Sequence, residues 1–175
     1  MKTKKTVLCF ILAVALILPN TVFAAEAATP STGAYGLLEE VDTANPSRTA
    51  GTSGDGALAG SIENKLKEFG YTDGDISRQT FSIENYLSGV SGSGLTTTSE
   101  NIALSVPSAV SNGKVVIGAH YDNASSLYNG YSATGGQGVS DNGGGVAVLL
   151  ELARKFKDVS LDFDLEIVFF GAEEL

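Results

Sequence analysis

Between Lys114 and Phe170 the chain reads apolar strand, glycine-rich loop, amphipathic helix, apolar strand, and that succession leaves few folds open. Leu165 to Phe170 is nearly all apolar. A continuous run of this length fits a central strand buried on both faces. Lys114 to Ala119 carries Val115-Val116-Ile117 and predicts a second buried strand. Val146, Leu149, Leu150, Ala153 and Phe156 make one helical stripe between them, with Asp141 and Asn142 just ahead as candidate caps. Strand, helix and strand in this order form a right-handed crossover unit. The expected class is therefore α/β, a mostly parallel sheet flanked by helices.

The rest of the chain adds flanking elements. Tyr35, Leu37, Leu38 and Val41 predict a short helix over 35–43, broken at Asn45-Pro46. Residues 47–56 read as a polar loop. Leu58, Ile62, Leu66 and Phe69 then make a stripe over 57–69. Glu63 and Lys67 form an i,i+4 pair on that helix, and Gly70 stands where a helix end favours glycine. Residues 76–86 predict a half-exposed strand and 101–106 another, closed by Pro107. Asn112-Gly113 marks a tight turn. The Tyr-, Ser-, Asn- and Gly-rich stretch 121–140 lacks periodicity and reads as a long functional loop. No internal repeat is visible.

The first residues are of another kind. Lys2, Lys4 and Lys5 precede an apolar run from Val7 to Leu18, and Val22-Phe23-Ala24 offers small residues for cleavage. This predicts a secretory signal over 1–24, a flexible leader over 25–34 and a single domain over 35–175. The apolar run is too short to span a bilayer comfortably, so secretion is expected, with no membrane attachment after cleavage. Cys9, the one cysteine, lies inside the signal. Disulfides and cysteine-held metals are thereby excluded from the mature chain. Removing the signal leaves eight basic side chains against twenty acidic ones, a formal charge of about −12. Such a polyanion does not attract nucleic acid.

Three polar clusters border the crossover unit. His120-Tyr121-Asp122 follows the first strand, Ser140-Asp141-Asn142 precedes the helix, and Glu173-Glu174 follows the last strand. Sites in open α/β sheets form beyond the carboxyl ends of the strands, so one imidazole and several carboxylates should converge there. Neutral imidazole and carboxylate oxygen are good zinc ligands. Two ions can share a carboxylate and activate a water between them. Asp141 suits the shared position, His120 suits one ion, and Asp122 suits the second shell of the imidazole. Adjacent Glu173 and Glu174 diverge, so one can bind metal while the other faces the water. The simpler readings are a hydrogen-bonded loop histidine and a solvated glutamate pair; it is the joint register of the three clusters that outweighs them. The glycines 143–145 complete no nucleotide-binding pattern, Asp73-Gly74-Asp75 reads as a turn rather than a calcium loop, and no Gly-x-Ser-x-Gly is present.

The stretches 118–123 (GAHYDN), 138–147 (GVSDNGGGVA) and 168–174 (VFFGAEE) resemble the secreted co-catalytic zinc aminopeptidases of peptidase family M28, in that family's order. Arg48, Gly51-Thr52 and Phe69-Gly70-Tyr71 resemble its opening segment. The resemblance implies a zinc-exopeptidase-like fold, of the phosphorylase/hydrolase type, with two Zn²⁺ and peptide substrates. It implies that His120 binds one zinc, Asp141 bridges both and Glu174 binds the other. Glu173 would be the general base and later the acid, while Asp122 would orient His120.

The family supplies a further aspartate and histidine after the glutamate pair, whereas this sequence prints Leu175 next and has His120 as its only histidine. The expectation is a metal site and a sheet that are incomplete in this chain, an uncovered edge on the strand 165–170, and an inactive, marginally stable product. The alternatives are a non-catalytic secreted remnant or binding fragment, a related zinc carboxypeptidase, or a glutaminyl cyclase. Oligomeric state is not legible.

Overall fold

The computed structural model describes residues 33–44, 47–87, 95–124 and 138–175. The expected signal and nearly all of the leader lie outside the described residues, as does most of the loop 121–140. In chain order the elements are α1 (Ala34–Ala44), α2 (Ser53–Glu68), β1 (Ile76–Ser82), β2 (Thr98–Val106), β3 (Lys114–His120), α3 (Gly144–Phe156) and β4 (Asp164–Phe170). Among the described residues no helix is long and apolar enough to cross a membrane.

The four strands form one sheet in the order β1-β2-β4-β3. The crossover unit is present: β3 and β4 pair in parallel, from Lys114 opposite Asp164 to His120 opposite Phe170. The α/β class with flanking helices holds. Within it the sheet is mixed rather than mostly parallel, because β1–β2 and β2–β4 are both antiparallel. A parallel pair needs a long crossover, and the described chain contains one, through α3. The order also corrects the expected bare edge. β4 lies between β2 and β3, so the edges are β1 and β3.

One face of the sheet is dry. Ile102 and Leu104 of β2 and Ile167 and Phe169 of β4 join Val146, Leu150 and Ala153 of α3, Leu58, Ile62 and Leu66 of α2 and Leu37 and Val41 of α1 in one buried cluster. Each large aliphatic buried there contributes about 1.5–3 kcal/mol of transfer free energy. On the opposite face Val116 and Phe170 are exposed, so β4 is enclosed on its helix side more than on the other.

The helix predictions hold with one shift. α2 begins at Ser53, four residues before the expected start. Residues 48–50 and Asp55, expected in a polar loop, are buried. Gly54 is needed by packing rather than by a turn, since a Cβ there would strike the Ser47 carbonyl oxygen. Glu63 and Lys67 pair at 2.7 Å, and Gly70 ends the helix at φ +95°. Thr72 and Asp75 close the 72–75 turn by mutual bonds, as a simple turn requires.

Candidate metal centre

The carboxyl ends of β3 and β4 are held level by the bond from the Tyr121 amide to the Phe170 carbonyl, 2.8 Å. His120 stands at the end of β3. Its Nε2 lies 3.0 Å from Asp141 Oδ1 and 4.0 Å from Glu173 Oε2. Donor atoms of His120, Glu173 and Glu174 all lie within 4.8 Å of one another. The five residues singled out from the sequence therefore meet in one place, with Asp141 joined to the cluster through His120.

Asp122 organises this edge. It is fully buried, its Oδ1 is 3.3 Å from His120 Nδ1, and its two oxygens accept the amide protons of Glu173 (3.1 Å) and Glu174 (3.0 Å). Among the described residues that Nδ1 has no hydrogen-bond partner. Ala172, at φ 62°, turns the chain so that both following amides reach Asp122. That one carboxylate faces the imidazole and fixes the backbone of both glutamates is invisible in the sequence, because fifty residues separate the partners.

The turn before α3 presents Asp141. Asn142 Oδ1 accepts the Gly145 amide proton at 3.0 Å, so Asn142 takes the capping role and Asp141 is left to face the site. The Asp141–Asn142 peptide is cis. Gly145 is required by close approach: a Cβ there would lie 2.3 Å from Asn142 Oδ1 and 2.9 Å from the Ala119 Cβ.

Electrostatically the cluster gathers four carboxyl groups around one imidazole. Burial raises the Glu174 carboxyl above its usual range, and the Asp141 carboxylate raises it further, with His120 opposing. Crowded, partly desolvated carboxylates next to an imidazole are a donor set that a divalent cation would relieve. Zinc fits these ligand types.

Beneath the site lies a polar layer that sequence reasoning did not single out. Arg48 is fully buried and donates from Nε to the Tyr121 carbonyl at 2.7 Å. Burial lowers its pKa, against the attraction of Asp42 and Asp122. Asn123 Oδ1 accepts the Arg48 amide proton at 3.1 Å. Tyr121, also fully buried, donates to the Glu100 carbonyl at 2.8 Å. The signal for Arg48 lay in the family-like opening segment and that for Tyr121 and Asn123 in the stretch 118–123, for periodicity assigns no role to a lone arginine in a polar stretch. A groove of about 700 Å³ between α1 and α2, floored by Leu37, Leu58 and Ile62, shares no residue with the cluster.

The mixed α/β sheet with helices on one face is shared with solved structures of glutaminyl cyclases. The structure of an Acidobacteriales bacterium glutaminyl cyclase matches 81% of this chain and 44% of its own, at 21% identity and a TM-score of 0.65. The Porphyromonas gingivalis glutaminyl cyclase matches 81% and 45%, at 26% identity and a TM-score of 0.61. Residues 101–175 match the model of peptidase family M28. Aminopeptidase YwaD of Bacillus subtilis (strain 168) is 38% identical over 80 residues, 45% of this chain and 16% of that protein. The chain thus spans less than half the length of each of these relatives.

Proposed function

We propose that the cluster is the metal centre of a secreted zinc-dependent aminopeptidase that removes N-terminal residues from peptides. The observation that carries this reading is the convergence of His120, Asp141, Glu173 and Glu174 within a peptidase-family segment. His120 and Glu174 would each hold one of two zinc ions, with Asp141 shared between them. Bound there, zinc would polarise the scissile carbonyl and acidify a water. Glu173, the exposed member of the pair, would take the water's proton and pass it to the leaving amine. Asp122 would fix the imidazole orientation from behind while holding the two glutamate amides.

A second reading, a glutaminyl cyclase on the same scaffold, is favoured by the 26% identity and TM-score of 0.61 to the Porphyromonas gingivalis protein. The test begins with zinc titration of the purified chain. The zinc-loaded protein is then assayed on an aminoacyl anilide and on a peptide with N-terminal glutamine. Release of the free amino acid supports the aminopeptidase, and ring closure with loss of ammonia supports the cyclase. Failure to bind zinc tightly would leave a non-catalytic binding protein. Export is checked by sequencing the secreted N-terminus, expected to follow Ala24 or to lie a few residues later, near Ala27.

A further inference from the structure

The two arms that carry His120 and Asp141 come from different parts of the chain, and one buried side chain spans them. Arg48 Nε donates to the carbonyl of Tyr121, next to His120, at 2.7 Å. Its Nη2 donates to the carbonyl of Gly138, at the root of the turn that presents Asp141. The same Gly138 oxygen accepts the Gly143 amide proton at 2.7 Å and so closes that turn. On the backbone side, the Arg48 amide and the Thr49 hydroxyl both donate to Asn123 Oδ1, at 3.1 and 3.4 Å. The guanidinium is tightly enclosed: a Cβ at Gly138 would lie 2.5 Å from Nη2, and one at Gly143 would lie 3.3 Å from it.

We infer that Arg48 is a positioning residue, a planar brace that sets the spacing between His120 and Asp141 and so the metal affinity of the site. The inference rests on the metal-centre reading above. A rigid fork can hold two carbonyls at once in fixed directions, whereas lysine is a point donor on a flexible stem. The distance it guards, 3.0 Å from His120 Nε2 to Asp141 Oδ1, is set by two arms with no strand pairing between them. Supports of this kind, one step behind the ligands, govern how well a site is preorganised.

The test uses the full chain with Arg48→Lys and Arg48→Ala. Three measurements are made on each: Co²⁺ titration read by the visible absorption of the ion, the ring-proton NMR signals of His120, and thermal unfolding. Because His120 is the only histidine, its ring signals need no assignment by mutation. The expected result is a loss of Co²⁺ affinity of about 10- to 100-fold, with an altered absorption band and displaced His120 signals. Arg48→Lys should recover part of what Arg48→Ala loses. Folded variants with wild-type Co²⁺ affinity, band shape and ring signals would overturn the inference and leave Arg48 as packing. If the wild-type chain binds no Co²⁺, the metal reading fails by itself, and the displacement or constancy of the ring signals decides the role of Arg48. Should both variants unfold, the wild type decides: its Arg48 Nε–H resonance must move when Zn²⁺ is added, and a resonance that stays in place refutes the brace.

Discussion

At the scale of single residues the site is built from groups with two tasks each. Asp122 faces the His120 imidazole and accepts the amides of Glu173 and Glu174. Asp122→Ala should therefore destabilise the fold by about 2–4 kcal/mol, because it strips charged acceptors from two amides. Urea denaturation measures this. Zinc affinity should fall by about 10- to 100-fold in the same variant. Glu173 stands apart: its side chain is 62% exposed and its approach to His120, at 4.0 Å, is loose. Glu173→Gln should keep zinc binding and stability while abolishing turnover in the active enzyme, and loss of zinc in that variant would refute the base assignment. Two glycines separate close packing from mere proximity. At Gly171 a Cβ would come within 2.5 Å of the Glu100 carbonyl oxygen and 2.7 Å of the Tyr121 hydroxyl, groups fixed in the buried layer. At Gly118 it would meet the Phe170 ring, which is partly exposed, and lie 3.2 Å from the Val168 carbonyl oxygen. Gly171→Ala should cost about 1–3 kcal/mol and Gly118→Ala clearly less, as paired thermal melts would show.

At the scale of elements, what was legible followed from local pattern. The stripes of α1, α2 and α3 and the apolar runs of β3 and β4 are visible in any short window, and the three polar clusters fall where those elements end. The start of α2 was misplaced because Ser53-Gly54-Asp55-Gly56 has the composition of a loop. Its helical state depends on contacts from elsewhere: Gly54 fits under Ser47, and Asp55 Oδ2 accepts the Gly51 amide proton at 3.0 Å. Sheet order was out of reach for a similar reason, since β2, the antiparallel partner of β4, lies about sixty residues upstream. Asp55 also gives α2 a pH dependence. Burial raises its carboxyl above the usual range, opposed by the hydrogen bond from the Gly51 amide. The folded chain therefore keeps a proton that the unfolded chain has already lost. Stability from this group is complete below the ordinary aspartate range and declines as the pH rises through the raised value. Asp55→Asn keeps an acceptor for Gly51 and removes the charge. Its stability relative to wild type should grow as the pH rises above the ordinary aspartate range, and parallel denaturant curves at several pH values would show a constant difference if the idea is wrong.

At the scale of the molecule the asymmetry of the sheet dominates. α1, α2 and α3 cover one face, while the other carries Val116 and Phe170 exposed to solvent. The β3 edge adds Val115, also exposed, so the apolar surface continues around the strand. Edge strands of this kind template the pairing of a second chain unless charge interrupts them. The interruption here is slight, a single Lys114–Glu166 pair at 2.8 Å near one end of the strand. The described chain should therefore self-associate through β3 before it loses its fold. Val116→Lys places a charge in the middle of that strand, on a side chain already 56% exposed. The folded state loses almost no buried apolar contact, so its stability should stay within about 0.5 kcal/mol of wild type. Association should fall markedly in sedimentation velocity or light scattering. Unchanged association with intact stability would move the sticky surface away from β3, to the groove between α1 and α2. Lower stability would mean instead that Val116 packs against something in solution, and that the bare face of the sheet is covered there.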